Sequence, residues 1–189
     1  MGGQSKIGLG FVGKMDRLPG SFYARDVLEV APDLVGKTLV RRYDDGREEC
    51  FVITETEAYR GEEDLACHAS KGRTPRTEIM YHRGGYIYVY LIYGMYWMLN
   101  VVTGPKGHPQ AALIRGLEGI YGPGKITRHL QIDKSFYGED LLHSQRIWIR
   151  EPNIVMPVDI ETHPRIGVDY AGDYWKNLPW RYTLKPKPV

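Results

Sequence analysis

The sequence predicts an α+β fold, a single domain of several antiparallel strands with few helices. Three observations carry this. The chain has 189 residues, close to one domain and long enough to bury a core without disulfide or metal staples. Strand-period alternation is plain where Tyr86, Tyr88 and Tyr90 interleave with Ile87, Val89 and Leu91, and the short apolar runs are separated by turn signals such as Asp45-Gly46. Segments with helical spacing are short, and there is no internal repeat, linker or low-complexity block.

Taken in order, Met1 to Leu18 reads as a flexible tail and residues 19–189 as the domain. Ser21 to Val30 has a possible N-cap and helical apolar spacing, so a first helix is expected there. Pro32 to Gly36 suits a short helical turn before a strand at Lys37–Arg42. Asp45-Gly46 turns the chain into a strand at about Glu49–Thr56. Gly61–Arg76 reads as loop. Strands are expected near Tyr86–Tyr90 and Leu99–Thr103, then at Ala111–Leu117 after a turn rich in Gly and Pro. A short helix is expected at Pro123–Leu130, a turn at Gly138-Glu139-Asp140, and late strands at Ile147–Arg150 and Trp180–Leu184.

Composition narrows function less. Charged residues are 25% and hydrophobic ones 42%, the balance of an ordinary globule, which argues against a disordered or coiled-coil chain. The net charge of +2 excludes a histone-like coat but not a local basic groove. Such a strip is legible: Lys71, Arg73, Arg76 and Arg83 face one acid, Glu78, next to an acid-rich stretch from Asp44 to Asp64. Tyr outnumbers Phe 14 to 4, which favours half-wet surfaces that stack and hydrogen-bond at once. Cys50 and Cys67 are too few for a disulfide framework or a zinc site, so a reducing, intracellular setting is expected, with no metal and no cofactor. Met1–Gly13 lacks the apolar run of a signal peptide. Gly84–Pro105 is uncharged and long enough to span a bilayer, but its tyrosines and period-two pattern read as strands.

Four clusters could carry chemistry. On a strand, Glu55, Glu57 and Tyr59 share a face, and with His68 they either line a pocket or form a solvated acidic edge. Tyr86–Asn100 reads as a hairpin with Tyr93 and Met95 at its tip. That is either core packing or an aromatic wedge for a base stack beside the basic strip. Arg115 lies in an apolar run and needs an acidic partner, Glu57 or the nearby Glu118. GPGK at Gly122–Lys125 opens a helix where a phosphate could sit, without the spacing of a nucleotide-hydrolysing loop.

ETEAY at Glu55, His68, GRTPRT at Gly72, YVYLIYGMYWMLN at Tyr88, ALIRGLE at Ala112, GPGK at Gly122 and RIGV at Arg165 together resemble the alkyladenine (3-methyladenine) DNA glycosylase family, in order from about Leu28 to Leu184. The resemblance implies a curved, mainly antiparallel sheet like that of a formyltransferase C-terminal domain. It also implies hydrolytic removal of alkylated or deaminated purines from duplex DNA, by a monomer. By that resemblance Glu57 is the general base and Arg115 positions it and the water. Tyr59, His68 and Tyr90 enclose the flipped base, and Asn100 crowds out a guanine amino group. Tyr93, with Met95 beside it, fills the gap left in the duplex, and Thr74, Arg76 and Lys125 are backbone contacts. No lysine falls in the matching catalytic motifs, which implies base release without strand cleavage. The sequence departs from the pattern in a short segment at Gly119–Tyr121 and in ending at Val189. Two other readings fit the residues: a damaged-DNA-binding module without catalysis, and a hydrolase of nucleosides or carbohydrates.

Overall fold

A computed structural model describes residues 17–153 and 158–185. Most of the expected tail, residues 1–16, and the C-terminal Pro188-Val189 lie outside them. The tail's last two residues are folded: Leu18 is buried, and its N–H donates to the Ile149 carbonyl at 2.9 Å.

Among the described residues one sheet holds nine strands, all paired antiparallel. They are β1 (Thr38–Arg42), β2 (Glu48–Arg60), β3 (Ile87–Ile92), β4 (Tyr96–Val102), β5 (Gln110–Leu117), β6 (Ile120–Tyr121), β7 (Ile147–Arg150), β8 (Ile160–His163) and β9 (Arg181–Leu184). The main path runs β3-β4-β5-β2-β1-β7, with β9 also on β2, β8 on β9 and β6 on β5. The segment Gly84–Pro105 is therefore a hairpin, and no described helix is long and apolar enough to cross a membrane.

β2 is the organising strand, and at 13 residues it is longer than the sequence pattern suggested. Its first half pairs with β1, and its second half lies between β5 and β9. Register shifts between Ile53 and Glu55 and between Glu55 and Thr56 mark the changeover. Such irregularities bend and twist a strand and re-aim its side chains.

The expected helix at Ser21–Val30 is two: α1 (Gly20–Tyr23) and α2 (Val27–Leu34). Asp26 divides them, because its side chain accepts the Leu28 N–H at 2.9 Å and caps α2. Pro32, expected to start a separate turn, lies within α2. α2 buries Val27, Val30, Ala31 and Leu34 against one face of the sheet, in a core with Ile53, Ile87, Leu99, Ile114 and Leu117. The Thr56 hydroxyl donates to the Ala31 carbonyl at 2.7 Å and ties helix to sheet. α3 (Pro123–His129) packs on β4, where the Thr127 hydroxyl donates to the Trp97 carbonyl at 2.8 Å.

The opposite face carries a second cluster around Cys67, Ala69, Met80, Tyr88 and Ala111. It lies under the long loop after β2, which holds two 3-10 turns, His68–Lys71 and Glu78–Tyr81, where the sequence suggested plain loop up to Arg76. α4 (Gly172–Asn177), β6 and β8 are too short to leave a periodic signal.

Gly116 faces the irregular part of β2. A Cβ there would lie 2.7 Å from Thr54 Oγ1 and 2.8 Å from Glu55 Cβ. Replacing Gly116 by Ala should cost about 1–3 kcal/mol of stability through overpacking. Urea unfolding checks this, and an unchanged midpoint would show that β2 yields freely at its bulge.

Candidate active site

A row of register partners builds the site. Tyr88 on β3 faces Asn100 on β4, Asn100 faces Leu113 on β5, Leu113 faces Glu57 on β2, and Glu57 faces Arg181 on β9. Directly paired residues project to the same side of a sheet. Two residues along each strand, Tyr90, Tyr59 and Arg115 join that face. The result is a cleft of about 660 Å³ lined by Tyr59, His68, Tyr90, Asn100 and Arg115, with Tyr93 at its rim.

Glu57 is fully buried beside this cleft. Its Oε1 accepts the Ile166 N–H at 2.8 Å and its Oε2 accepts the Tyr59 hydroxyl at 2.8 Å. Arg115 Nε lies 3.5 Å from Oε1. Burial raises the Glu57 carboxyl above its ordinary range, against the pull of Arg115 and the two hydrogen bonds. A carboxylate that holds its proton more tightly is also a stronger base when ionised.

Arg115 has the acidic neighbour it was expected to need in Glu57, but a closer one in Glu55. Its Nε donates to Glu55 Oε1 at 3.1 Å, and Arg181 Nη1 donates to the same oxygen at 3.0 Å. No bond joins Arg115 to Glu118 among the described residues. Sequence reading missed this use of Glu55 and Arg181; 126 residues separate the two, and no local pattern links them.

The aromatic wall is made by His68, Tyr88 and Tyr90. His68 and Tyr90 meet edge to face at 4.5 Å, and His68 Nδ1 is 2.8 Å from the Tyr88 hydroxyl. Burial, reinforced by Arg76 and Lys71, lowers the His68 pKa to about 4, so the ring is neutral at physiological pH. Asn100 is buried and donates from Nδ2 to the Tyr88 carbonyl at 3.1 Å, which fixes its side chain in the cleft wall.

Behind Tyr59 lies a pair absent from the expected site. Arg165 and Asp64 form a two-pronged ion pair at 2.6 and 2.9 Å, with both side chains fully buried. Arg165 also donates to the Ala58 and Trp175 carbonyls, while Asp64 accepts the Arg60 and Ala66 N–H groups. The guanidinium sits 4.9 Å from the Tyr59 ring and 5.0 Å from that of Trp180. Because Ile166 follows Arg165, this pair delivers the N–H that Glu57 accepts.

The hairpin tip stands away from the cleft floor. Tyr93 is 85% exposed and Met95 66%. Tyr93 has φ +52° and Gly94 φ +67°, and the Met95 N–H closes the turn on the Ile92 carbonyl at 3.1 Å. Two successive positive φ values are the mark of a tight hairpin turn. Holding a tyrosine there costs roughly 1–2 kcal/mol.

The expected basic strip is thinner than the sequence suggested. Arg73 pairs with Glu78 and Arg83 with Asp140, which leaves Lys71 and Arg76, both on the cleft wall. Arg76 stacks 5.1 Å from the Tyr90 ring. The Thr74 hydroxyl is 3.0 Å from that of Thr77, within a local turn. Lys125 is exposed on α3, two residues after Pro123, which lines the cleft.

A family model described as methylpurine-DNA glycosylase (MPG) matches residues 21–121 and 118–188. Three relatives carry the name "Putative 3-methyladenine DNA glycosylase". The one from Legionella pneumophila (strain Corby) is 47% identical over 182 residues, covering 92% of this chain and 97% of its own. The one from Psychrobacter cryohalolentis is 44% identical, covering 81% and 85%. The one from Methanocella arvoryzae is 44% identical, covering 92% and 95%. Fold, site and relatives together define a DNA glycosylase. The chain belongs to the methylpurine-DNA glycosylase family.

Two stability predictions follow from these charges. Asp64→Asn leaves Arg165 buried without its counter-charge and should cost about 3–5 kcal/mol, read as a lower urea midpoint. A loss below 1 kcal/mol would show the pair to be replaceable. Glu57 has the opposite sign. A carboxyl whose folded pKa is raised contributes stability only while protonated, and that contribution is lost as pH rises through the folded value. At neutral pH Glu57→Gln should therefore raise the melting temperature, and the gain should vanish in acid. A lower melting temperature at pH 7 would contradict this.

Proposed function

We propose that this protein flips alkylated or deaminated purines of the 3-methyladenine, 7-methylguanine, hypoxanthine and ethenoadenine class out of duplex DNA and hydrolyses their N-glycosidic bonds. It acts as a monomer inside the cell, and it leaves an abasic site without cutting the strand.

The observation that best supports this reading is a fully buried carboxylate, Glu57, on the same sheet face as an aromatic slot, with an exposed tyrosine at the rim. A base within a duplex is out of reach of a cleft and must be extruded, at a cost of a few kcal/mol. Tyr93 fits the vacated stack and offsets part of that cost. Tyr59, Tyr90 and neutral His68 offer π faces to the purine. A cationic alkylated ring gains about 0.5–2 kcal/mol per good face contact. Water then adds to the sugar C1′ as the bond to the purine nitrogen breaks. The bonding electrons leave with the base, and Glu57 takes the proton from water while opposing the positive charge that develops on the sugar.

Release without strand cleavage requires that no amine attack C1′. Lys71 is the amine that the fold brings to the cleft wall, and it is exposed. Borohydride added during turnover should trap no covalent protein–DNA adduct; an adduct lost in Lys71→Met would overturn this part of the reading.

The central test is base release from duplexes that each carry one lesion. Wild type should release free purine, and Glu57→Gln should lower the rate by about 10²–10⁴-fold while still binding damaged duplex. Equal rates would leave a binding module without catalysis. The wild-type rate on a cationic lesion should fall in acid with a midpoint above the ordinary carboxylate range, because Glu57 must be ionised to act. Tyr93→Ala should weaken binding to damaged duplex by about 1–3 kcal/mol, the worth of one stacking contact, with little change on free nucleosides.

A further inference from the structure

We infer that Glu55 is a positioning residue for the reaction: it anchors Arg115 and Arg181 on one oxygen, and so keeps Arg115 from closing onto Glu57. This rests on the proposed role of Glu57 as base.

The bonding pattern carries the inference. Arg115 Nε and Arg181 Nη1 converge on Glu55 Oε1 at 3.1 and 3.0 Å, whereas Arg115 Nε stays 3.5 Å from Glu57. Glu57 takes its hydrogen bonds from Tyr59 and Ile166 instead. The two Nη groups of Arg115 have no hydrogen-bond partner among the described residues, and the side chain lines the cleft. An arginine tied by Nε to one carboxylate can present its other two amines to a water or a substrate oxygen. Arg181 extends the clamp, because its Nε donates to the Pro164 carbonyl at 2.9 Å, two residues before the N–H that holds Glu57. One oxygen of Glu55 thus links both elements that surround the base.

The charge balance points the same way. The groups that bear on Glu57 are Glu55 and Tyr59 from β2, Arg115 from β5, Arg165 from the loop before α4, Tyr90 from β3 and Tyr170 from the 3-10 turn Asp169–Ala171. Burial raises the Glu57 carboxyl most, Arg115 opposes it, and Glu55 adds to the rise. If Glu55 is neutral, Arg115 has Glu57 as its nearest charged partner. It should then swing over, weaken the base and withdraw its amines from the cleft.

The test is the pH dependence of single-turnover base release from a duplex carrying one 7-methylguanine. That base is already cationic, so the acid limb reports the enzyme. Glu55→Gln should move the acid midpoint to lower pH and reduce the plateau rate by about tenfold, a fraction of the proton-transfer contribution, with duplex affinity held within about twofold. Arg181→Met should move the midpoint the other way, since Glu55 then answers to Arg115 alone. Loss of the Glu55 charge acting only through space would lower the midpoint of Glu55→Gln with the plateau rate kept; that outcome, or midpoints that do not move, overturns the inference. If Glu55→Gln does not fold, Arg181→Met decides by itself: an unmoved or lowered midpoint sinks the proposal. A wild type that releases no base defeats the reading of the whole site, whereas an active wild type with unmoved midpoints defeats only the role of Glu55.

Discussion

The buried ion pair between Asp64 and Arg165 is the constraint on which the site depends. Taking two charges out of water costs several kcal/mol per ion even after relaxation, so such a pair persists only with good geometry and further hydrogen bonds. Here the geometry is two-pronged, and carbonyls and N–H groups from four other residues satisfy much of what remains. The pair spans 101 residues of sequence. It fastens the start of the loop that carries His68 to the segment that carries Ile166, and it sets a flat cation behind the Tyr59 ring. Without it, Glu57 would lose the placement of its backbone donor and the Tyr59 ring would lose its backing.

This arrangement also explains how a carboxylate can lie buried near two arginines and still have a raised pKa. Arg165 is matched by Asp64, and Arg115 is shared with Glu55. What reaches Glu57 is a backbone dipole, a phenol and part of one guanidinium, which compensate its desolvation only in part. Acids that look redundant in the run from Asp44 to Asp64 therefore have different tasks, set by what each one faces.

Much of the fold was legible because strand alternation and turn residues are local signals. The hairpin of β3 and β4, the first part of β2 and the Pro123 helix needed no long-range information, whereas the expected strand stopped at about Thr56 and β2 runs on to Arg60. Glu57 and its neighbours were legible as a shared face, but only the family resemblance gave them roles. What stayed hidden is non-local. Asp64 and Arg165, Glu55 and Arg181, and the neutralised members of the basic strip are pairings that sequence spacing does not encode. The split of the first helix is a smaller case: helical apolar spacing ran through Asp26, but a side chain able to cap a helix won over the period.

The same site collects local costs. Tyr93 is held at positive φ at a tip where glycine would relax, and Glu57 is an ionisable carboxyl where solvent cannot reach it, which raises its pKa. Neither is explained by stability, since each would be cheaper to replace. Both become intelligible if the turn must present a ring to a vacated stack and the carboxylate must remain hungry for a proton. The tolerance for the buried carboxyl comes from elsewhere: the core beneath α2 and the Asp64–Arg165 pair hold the backbone on both sides of β2, so Glu57 has no easy route to solvent. The register shifts of β2 on either side of Glu55 come just before Glu57, and the cleft beside Glu57 has Tyr93 at its rim.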